Sequence, residues 1–229
     1  FKPCWRASSS RCWVRIADED GAQQAPDMKP LQQLHTGLVH PRRVRVLAGL
    51  ITAWLPQGGK VLDVGCGDGA LAAAIAELRP DVQISGLDVL VRQAARIPVV
   101  AFDGRTIPHG DGCFDAALLV DVLHHTEAPE ALLREARRVA RMVVVKDHTL
   151  DGWMAGPTLR LMDWVGNASH GVALPYNYRT EAQWREMFAA LDLRIEELRS
   201  DLGLYPWLAD LVFGRRLHLL ARLTPEARA

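Results

Sequence analysis

Between Lys60 and Gly69 the chain runs KVLDVGCGDG, and little else in its 229 residues limits the fold as sharply. Lys60 to Val64 is a short, valine-bounded apolar run that reads as a strand. Glycines follow at once. Leu71, Ala74, Ile75 and Leu78 then recur at helical spacing until Pro80 closes the segment. Gly65 and Gly67 let the backbone turn tightly and approach a ligand with no Cβ in the way. The helix behind them offers free N–H groups and the positive end of its dipole.

The same rhythm repeats along the chain. Before the glycine turn, Leu47, Leu50, Ile51 and Trp54 form a helical stripe that starts near Pro41 and ends at Pro56-Gln57-Gly58-Gly59. After it, strands are expected at Val82–Leu87, Val99–Phe102, Phe114–Val120 and Met142–Val145, with a helix opened by Pro129 before the last of these. Thr180-Glu181-Ala182-Gln183 reads as a capping box. Trp184, Met187, Phe188 and Leu191 continue as a helix stripe, and Leu193–Leu198 and Leu217–Leu223 read as closing strands. Strands alternating with helices predict an α/β fold: a doubly wound, mostly parallel seven-stranded sheet with helices on both faces and its last strand antiparallel. In such sheets ligands collect at the carboxyl ends of the strands. Residues 1–34, with Ser8-Ser9-Ser10 and breaks at Pro26 and Pro30, are expected to be a poorly ordered extension. Residues 35–225 are expected to form the domain, with 148–179 as a lid or substrate insertion.

Asp88 ends the second expected strand, 21 positions after Gly67. A carboxylate there can accept hydrogen bonds from both ribose hydroxyls of a nucleoside. The segment VLDVGCGDG resembles motif I of class I methyltransferases, and Gly86-Leu87-Asp88-Val89 resembles the acidic motif that follows it. Phe102-Asp103-Gly104, the stretch Asp111-Gly112-Cys113-Phe114-Asp115 and the run from Val122 to Val139 resemble later motifs of the type 11 methyltransferase family. The match covers roughly residues 40–147. The resemblance implies S-adenosylmethionine as cofactor. It implies that Gly65, Cys66 and Gly67 pass beneath the cofactor, with Asp63 near its amino group. Asp88 and Val89 would take the ribose, Phe102, Asp103 and Gly104 would border the adenine, and Val120 and Asp121 would line the pocket at the fourth strand. Only Leu90 to Pro98 separates the second and third strands, where the family usually has a longer helix.

Methyl transfer is an in-line displacement at an already activated carbon, so the protein mainly aligns and desolvates. A base is needed only where the acceptor must first lose a proton. Candidates are His124, His125, Asp147 and His148. Trp153, Trp164, His170, Tyr176 and Tyr178 are candidates for the acceptor wall, because their segment follows the fifth strand and mixes apolar bodies with polar tips. Lys plus Arg and Asp plus Glu are 27 each, so there is no basic excess of the kind nucleic acid demands, and Arg134, Arg137, Arg138 and Arg141 read as a solvated helix face. The expected acceptor is therefore a small molecule. No run is long enough to span a bilayer, no CxxC pair supplies a zinc spacing, and no metal is expected. Scattered cysteines suit a reducing cytoplasm. Two other readings remain open on residues alone: a non-catalytic module of the same fold, and a nicotinamide-dependent oxidoreductase, for which Asp68 would face a pyrophosphate.

Overall fold

A computed structural model of the chain describes residues 39–167, 176–214 and 216–226. The N-terminal extension expected at 1–34 lies outside these residues. The first helix, α1 (His40–Thr52), has Pro41 in its first turn, where the missing N–H costs nothing. Strand β1 (Lys60–Val64) follows, then α2 (Ala70–Leu78), β2 (Gln83–Asp88), β3 (Val99–Ala101) and β4 (Ala116–Val120). Helix α3 (Pro129–Val139) and β5 (Val143–His148) come next, followed by α4 (Ala155–Asn167), α5 (Glu181–Ala190), β6 (Leu193–Arg199), α6 (Trp207–Phe213) and β7 (His218–Pro225).

The seven strands form one sheet in the order β3-β2-β1-β4-β5-β7-β6. All neighbours are parallel up to β5, and β7 enters antiparallel between β5 and β6. Strand order reverses beside β1, which places a crevice at the carboxyl ends of β1 and β4. Alternation along the strands sends side chains to two cores. Leu62, Val64, Leu119, Val143 and Val145 pack with Leu132, Ala136, Trp184 and Phe188 of α3 and α5. Val61, Leu118, Val144 and Leu220 pack with Leu47 and Ile51 of α1 and Ile75 of α2 on the other face. Each such side chain, taken out of water, contributes about 1.5–3 kcal/mol. The capping box is present: the Gln183 N–H donates to Thr180 Oγ1 at 3.2 Å, and the Thr180 N–H donates to Gln183 Oε1 at 2.9 Å.

Four features differ from the sequence reading. Strand β5 runs on through Lys146, Asp147 and His148, because β7 pairs with all three, His148 opposite His218. The segment after it, expected as a lid or substrate insertion, contains a regular helix, α4, that the sequence reading did not separate out. A further helix, α6, precedes β7. Leu78, read as part of the apolar face of α2, is 56% exposed, since it sits on the helix's last turn.

Candidate functional site

The glycine turn sits between β1 and α2, at the crevice. Gly65, Gly67 and Gly69 all have positive φ, at 73°, 59° and 74°. A Cβ on Gly65 would lie 2.5 Å from Val122 Cγ2, so the turn presses against the start of the segment after β4. A Cβ on Gly67 would meet nothing nearer than Arg92 Nη2 at 4.0 Å, so the tip of the turn faces open space. The Gly65 and Cys66 N–H groups are spent on Leu87 O, at 2.7 and 3.1 Å. Cys66 turns its sulfur beneath β2, where a Cβ on Gly86 would come within 2.4 Å of it. Burial, with Asp63 and Asp88 nearby, pushes this free thiol up to about 12, which leaves it unreactive.

Two carboxylates flank the turn. Asp88 Oδ2 accepts from the Gly67 N–H at 2.7 Å, and its Oδ1 accepts from the Leu90 N–H at 2.9 Å. These bonds fix the carboxylate at the end of β2 and clamp the turn to it. Asp63 is almost fully buried at the end portion of β1. Burial, then the nearby charge of Asp88, raises its carboxyl to about 7. A buried carboxylate held this high stabilises any cation placed beside it. The short stretch between β2 and β3 folds back over the turn: the Arg96 N–H donates to Asp68 O at 2.9 Å, and Ile97 fills the space beside Gly69. It contains no helix, as its length predicts. Val89 is 66% exposed at the mouth. Phe102 packs partly into the core. Asp103 Oδ1 accepts from the N–H groups of Arg105 and Thr106, at 2.8 and 2.7 Å, a turn that aims the carboxylate partly inward to its own backbone. Gly104 has φ 75°, and a Cβ on it would lie 3.1 Å from Val89 Cγ1.

Val120 ends β4 and Asp121 follows it at the same edge. Asp121 adopts a left-handed conformation, φ 56°, and its carboxylate is held on both sides: Arg43 Nη2 donates at 2.9 Å, and Lys146 Nζ donates to the other oxygen. Its carboxylate is thus taken up by two cations of the protein rather than turned wholly to the crevice. Lys146 is fully buried, so the pairing is obligatory.

Beyond it lies a buried cluster that joins three of the four expected acid–base candidates. His124 sits in a short 3₁₀ turn, Leu123–His125, whose N–H groups at Leu123 and His124 donate to Asp147 Oδ2 at 3.1 and 3.3 Å. His124 Nδ1 is 2.6 Å from Asp147 Oδ1, and its Nε2 is 3.4 Å from Asp163 Oδ2. Although burial works against the charge, these two carboxylates hold His124 protonated, pushing it up to about 10. Burial and the charges of Lys146 and His124 push His148 down to about 3. Neither imidazole titrates near neutrality, so neither has the proton affinity a general base at pH 7 needs. His125 stacks on His124 with ring centroids 3.9 Å apart, and burial lowers it too.

The expected acceptor-wall residues divide. Trp153 is 75% exposed, and Leu159 of the same segment is core. Trp164 belongs to α4, but its side chain lies outside the described part of the structure, and His170 lies outside the described residues altogether. Tyr178 reaches the buried cluster, and the Tyr176 ring lies 6.0 Å from that of Tyr178. The Tyr178 hydroxyl donates to Asp163, its ring stacks on His124 at 5.8 Å, and Arg160 sits over the Tyr176 ring at 5.5 Å. Lys146, Arg43 and Asp163 are missing from the sequence reading. The run Val143-Val144-Val145-Lys146-Asp147-His148 carried the clue, since polar residues that prolong a buried strand must find partners inside.

Arg137 and Arg138 on α3 and Arg141 just beyond it are engaged with acids. Arg138 bonds Glu135 and Asp111, Arg137 pairs with Asp192 and Arg141 with Asp115. No helix among the described residues is long and apolar enough to cross a membrane.

Residues 62–142 match the model of the family described as "Methyltransferase domain". A tRNA (carboxymethyluridine(34)-5-O)-methyltransferase of Schizosaccharomyces pombe is 34% identical over 94 residues, which is 39% of this chain and 40% of that one. A 27-O-demethylrifamycin SV methyltransferase of Amycolatopsis mediterranei is 30% identical over 108 residues, 42% of this chain and 39% of that one. Residues 62–142 are a class I S-adenosylmethionine-dependent methyltransferase domain. The matches span about 40% of the length of these curated relatives. The fold extends the likeness across nearly the whole chain. A putative methyltransferase solved in complex with the Trm112 methyltransferase activator of Haloferax volcanii superposes with a TM-score of 0.64 at 18% identity, covering 88% of this chain and 97% of that one. The cofactor of this family is S-adenosylmethionine. The residues present fit it: an open glycine tip without a Cβ, and carboxylates rather than phosphate-binding lysines beside a cationic ligand.

Proposed function

We propose that the chain transfers the methyl group of S-adenosylmethionine to a small-molecule acceptor. One observation carries the reading: the glycine turn is clamped to Asp88 while Asp63 waits buried and high in proton affinity beside it. In this reading Asp88 receives the ribose hydroxyls on the lone pairs its two backbone bonds leave open, and Asp63 receives the amino group. Phe102, Asp103, Gly104 and Val89 border the adenine. The cofactor supplies an activated methyl carbon on a sulfonium. The protein's part is to hold that carbon in line with the acceptor and keep water away. Tyr176 and Tyr178, beside His124, form the acceptor side.

A small molecule is favoured because Arg137, Arg138 and Arg141 are paired with acids, and Amycolatopsis mediterranei supplies a relative named for a small-molecule substrate. The test is transfer of label from methyl-labelled S-adenosylmethionine to fractionated cell extracts. Label in the small-molecule fraction is expected. Label confined to tRNA would move the acceptor to the class in the name of the Schizosaccharomyces pombe relative, and label nowhere would favour a non-catalytic module.

A further inference from the structure

The cluster behind the cofactor turn has a composition that methyl transfer alone does not require. His124, His148 and Asp163 come from three different elements, the 3₁₀ turn, β5 and α4, and each is buried. One donor atom of each lies within 4.8 Å of the others. His124 Nε2 is 3.4 Å from Asp163 Oδ2, and His148 Nε2 is 3.7 Å from Asp163 Oδ1. His124 Nε2 meets no partner in hydrogen-bond geometry, though it is sealed from solvent. We propose that His124, His148 and Asp163 bind one divalent transition-metal ion, through the two Nε2 atoms and a carboxylate oxygen.

Three arguments support the assignment. The first is orientation. A metal-binding imidazole usually gives its second nitrogen to a carboxylate, which fixes the tautomer and turns the free lone pair toward the ion. Asp147 does this for His124 at 2.6 Å, and Asp147 is itself pinned by the N–H groups of Leu123 and His124. The second is charge. Asp121 is answered by Lys146 and Arg43. Asp147 and Asp163 both face His124, so a dication bound there is answered by two carboxylates. The third is span. Donors about 2.0–2.2 Å from a tetrahedral ion stand roughly 3.4 Å apart. His124 Nε2 and His148 Nε2 lie 3.4 and 3.7 Å from Asp163, each on a different oxygen, and with one oxygen chosen all three donors lie within 4.8 Å, so closure around an ion takes a movement of at most about 1.4 Å.

The donor set selects the ion. Two imidazole nitrogens and one carboxylate oxygen suit zinc, iron or a neighbour in that series, and leave coordination positions open. Magnesium and calcium demand oxygen cages and are disfavoured. The Tyr178 hydroxyl, already on Asp163, lies at the edge of the site, and its ring covers His124. An ion there would bolt α4 to the ends of β4 and β5, and so set the acceptor side of the crevice.

The experiment needs no methyl donor, so its outcome is separate from that of the cofactor reading. Full-length protein stripped with EDTA is titrated with zinc by calorimetry and with cobalt by visible absorption. One equivalent per chain is expected for each, with ligand-field bands for cobalt and at least a hundredfold weaker binding of magnesium. His148→Ala and Asp163→Asn should each weaken zinc at least tenfold, and Asp147→Asn about 10–100-fold. If these variants do not fold, anomalous scattering from zinc-loaded wild-type crystals decides, with a peak expected between His124 Nε2, His148 Nε2 and Asp163. Substoichiometric binding, indifference to both ligand variants, or the absence of that peak overturns the proposal and leaves a buried ion triad.

Discussion

Replacing Asp63 with asparagine separates what the buried carboxyl does for the cofactor from what it costs the fold. The carboxyl is 2% exposed, and burial followed by the Asp88 charge raises it to about 7. An unfolded chain releases that proton near pH 4, so between about 4 and 7 the folded state holds a proton the unfolded state has lost. Stability of the free protein therefore falls as pH rises through this window, by about 4 kcal/mol at most. The asparagine variant should lack this decline. The cofactor's ammonium asks for the ionised form. At pH 6 about a tenth of the chains carry it, and at pH 8 about nine-tenths, so affinity should rise about tenfold between them, with proton release below pH 7. Asp63→Asn should lose a charge-assisted bond worth roughly 1.5–3 kcal/mol at pH 8, and with it the pH dependence. Titration calorimetry with S-adenosylhomocysteine, which carries the same ammonium group, at pH 6, 7 and 8 in two buffers of different ionisation heat measures both effects. Equal affinity at pH 6 and 8, or an asparagine variant that binds as wild type, would refute the placement of Asp63.

Other changes have distinct signatures. Asp88→Ala should weaken S-adenosylhomocysteine by roughly 1.5–3 kcal/mol per lost bond, and it also frees the Gly67 N–H; unchanged affinity by calorimetry would remove Asp88 from the site. Gly65→Val puts a branched side chain where even a Cβ meets Val122 at 2.5 Å, at φ 73°, so binding should vanish and the thermal midpoint should drop. Tyr178→Ala should leave S-adenosylhomocysteine affinity within about threefold yet cut turnover of the true substrate at least tenfold, about 1.4 kcal/mol; normal turnover would place the acceptor elsewhere. Trp184→Phe removes the indole bond to His148 O, 2.9 Å in length and fully buried, and should cost about 1–3 kcal/mol in denaturant unfolding with no change in cofactor affinity.

The sheet was legible in the sequence because short continuous apolar runs and glycine turns are local features. Lys60–Val64 and the capping box at Thr180 match the structure residue for residue. The positions of Asp63, Gly65, Gly67 and Asp88 were legible for the same reason, since each follows from a strand end and a turn. The ionic cluster was not. Asp121 and His124, Lys146, and Asp163 lie on three separate stretches of the chain and meet only after β4 pairs with β5 and α4 docks. Strand β5 read as ending at Val145 because a buried lysine contradicts the usual burial preference. Asp121 resembled a pocket-lining residue, and its two cationic partners, Arg43 on α1 and Lys146, could be found only in three dimensions. Tyr178 was named from composition, whereas its bond to Asp163 depends on a helix that the sequence pattern did not separate from a loop.

The most direct test of the cofactor site is calorimetric titration of the full chain with S-adenosylhomocysteine, alongside NADH as a competing ligand class. One equivalent of S-adenosylhomocysteine per chain, abolished by Gly65→Val, and no heat from NADH is the result predicted here. Saturable NADH binding with none for S-adenosylhomocysteine would contradict it.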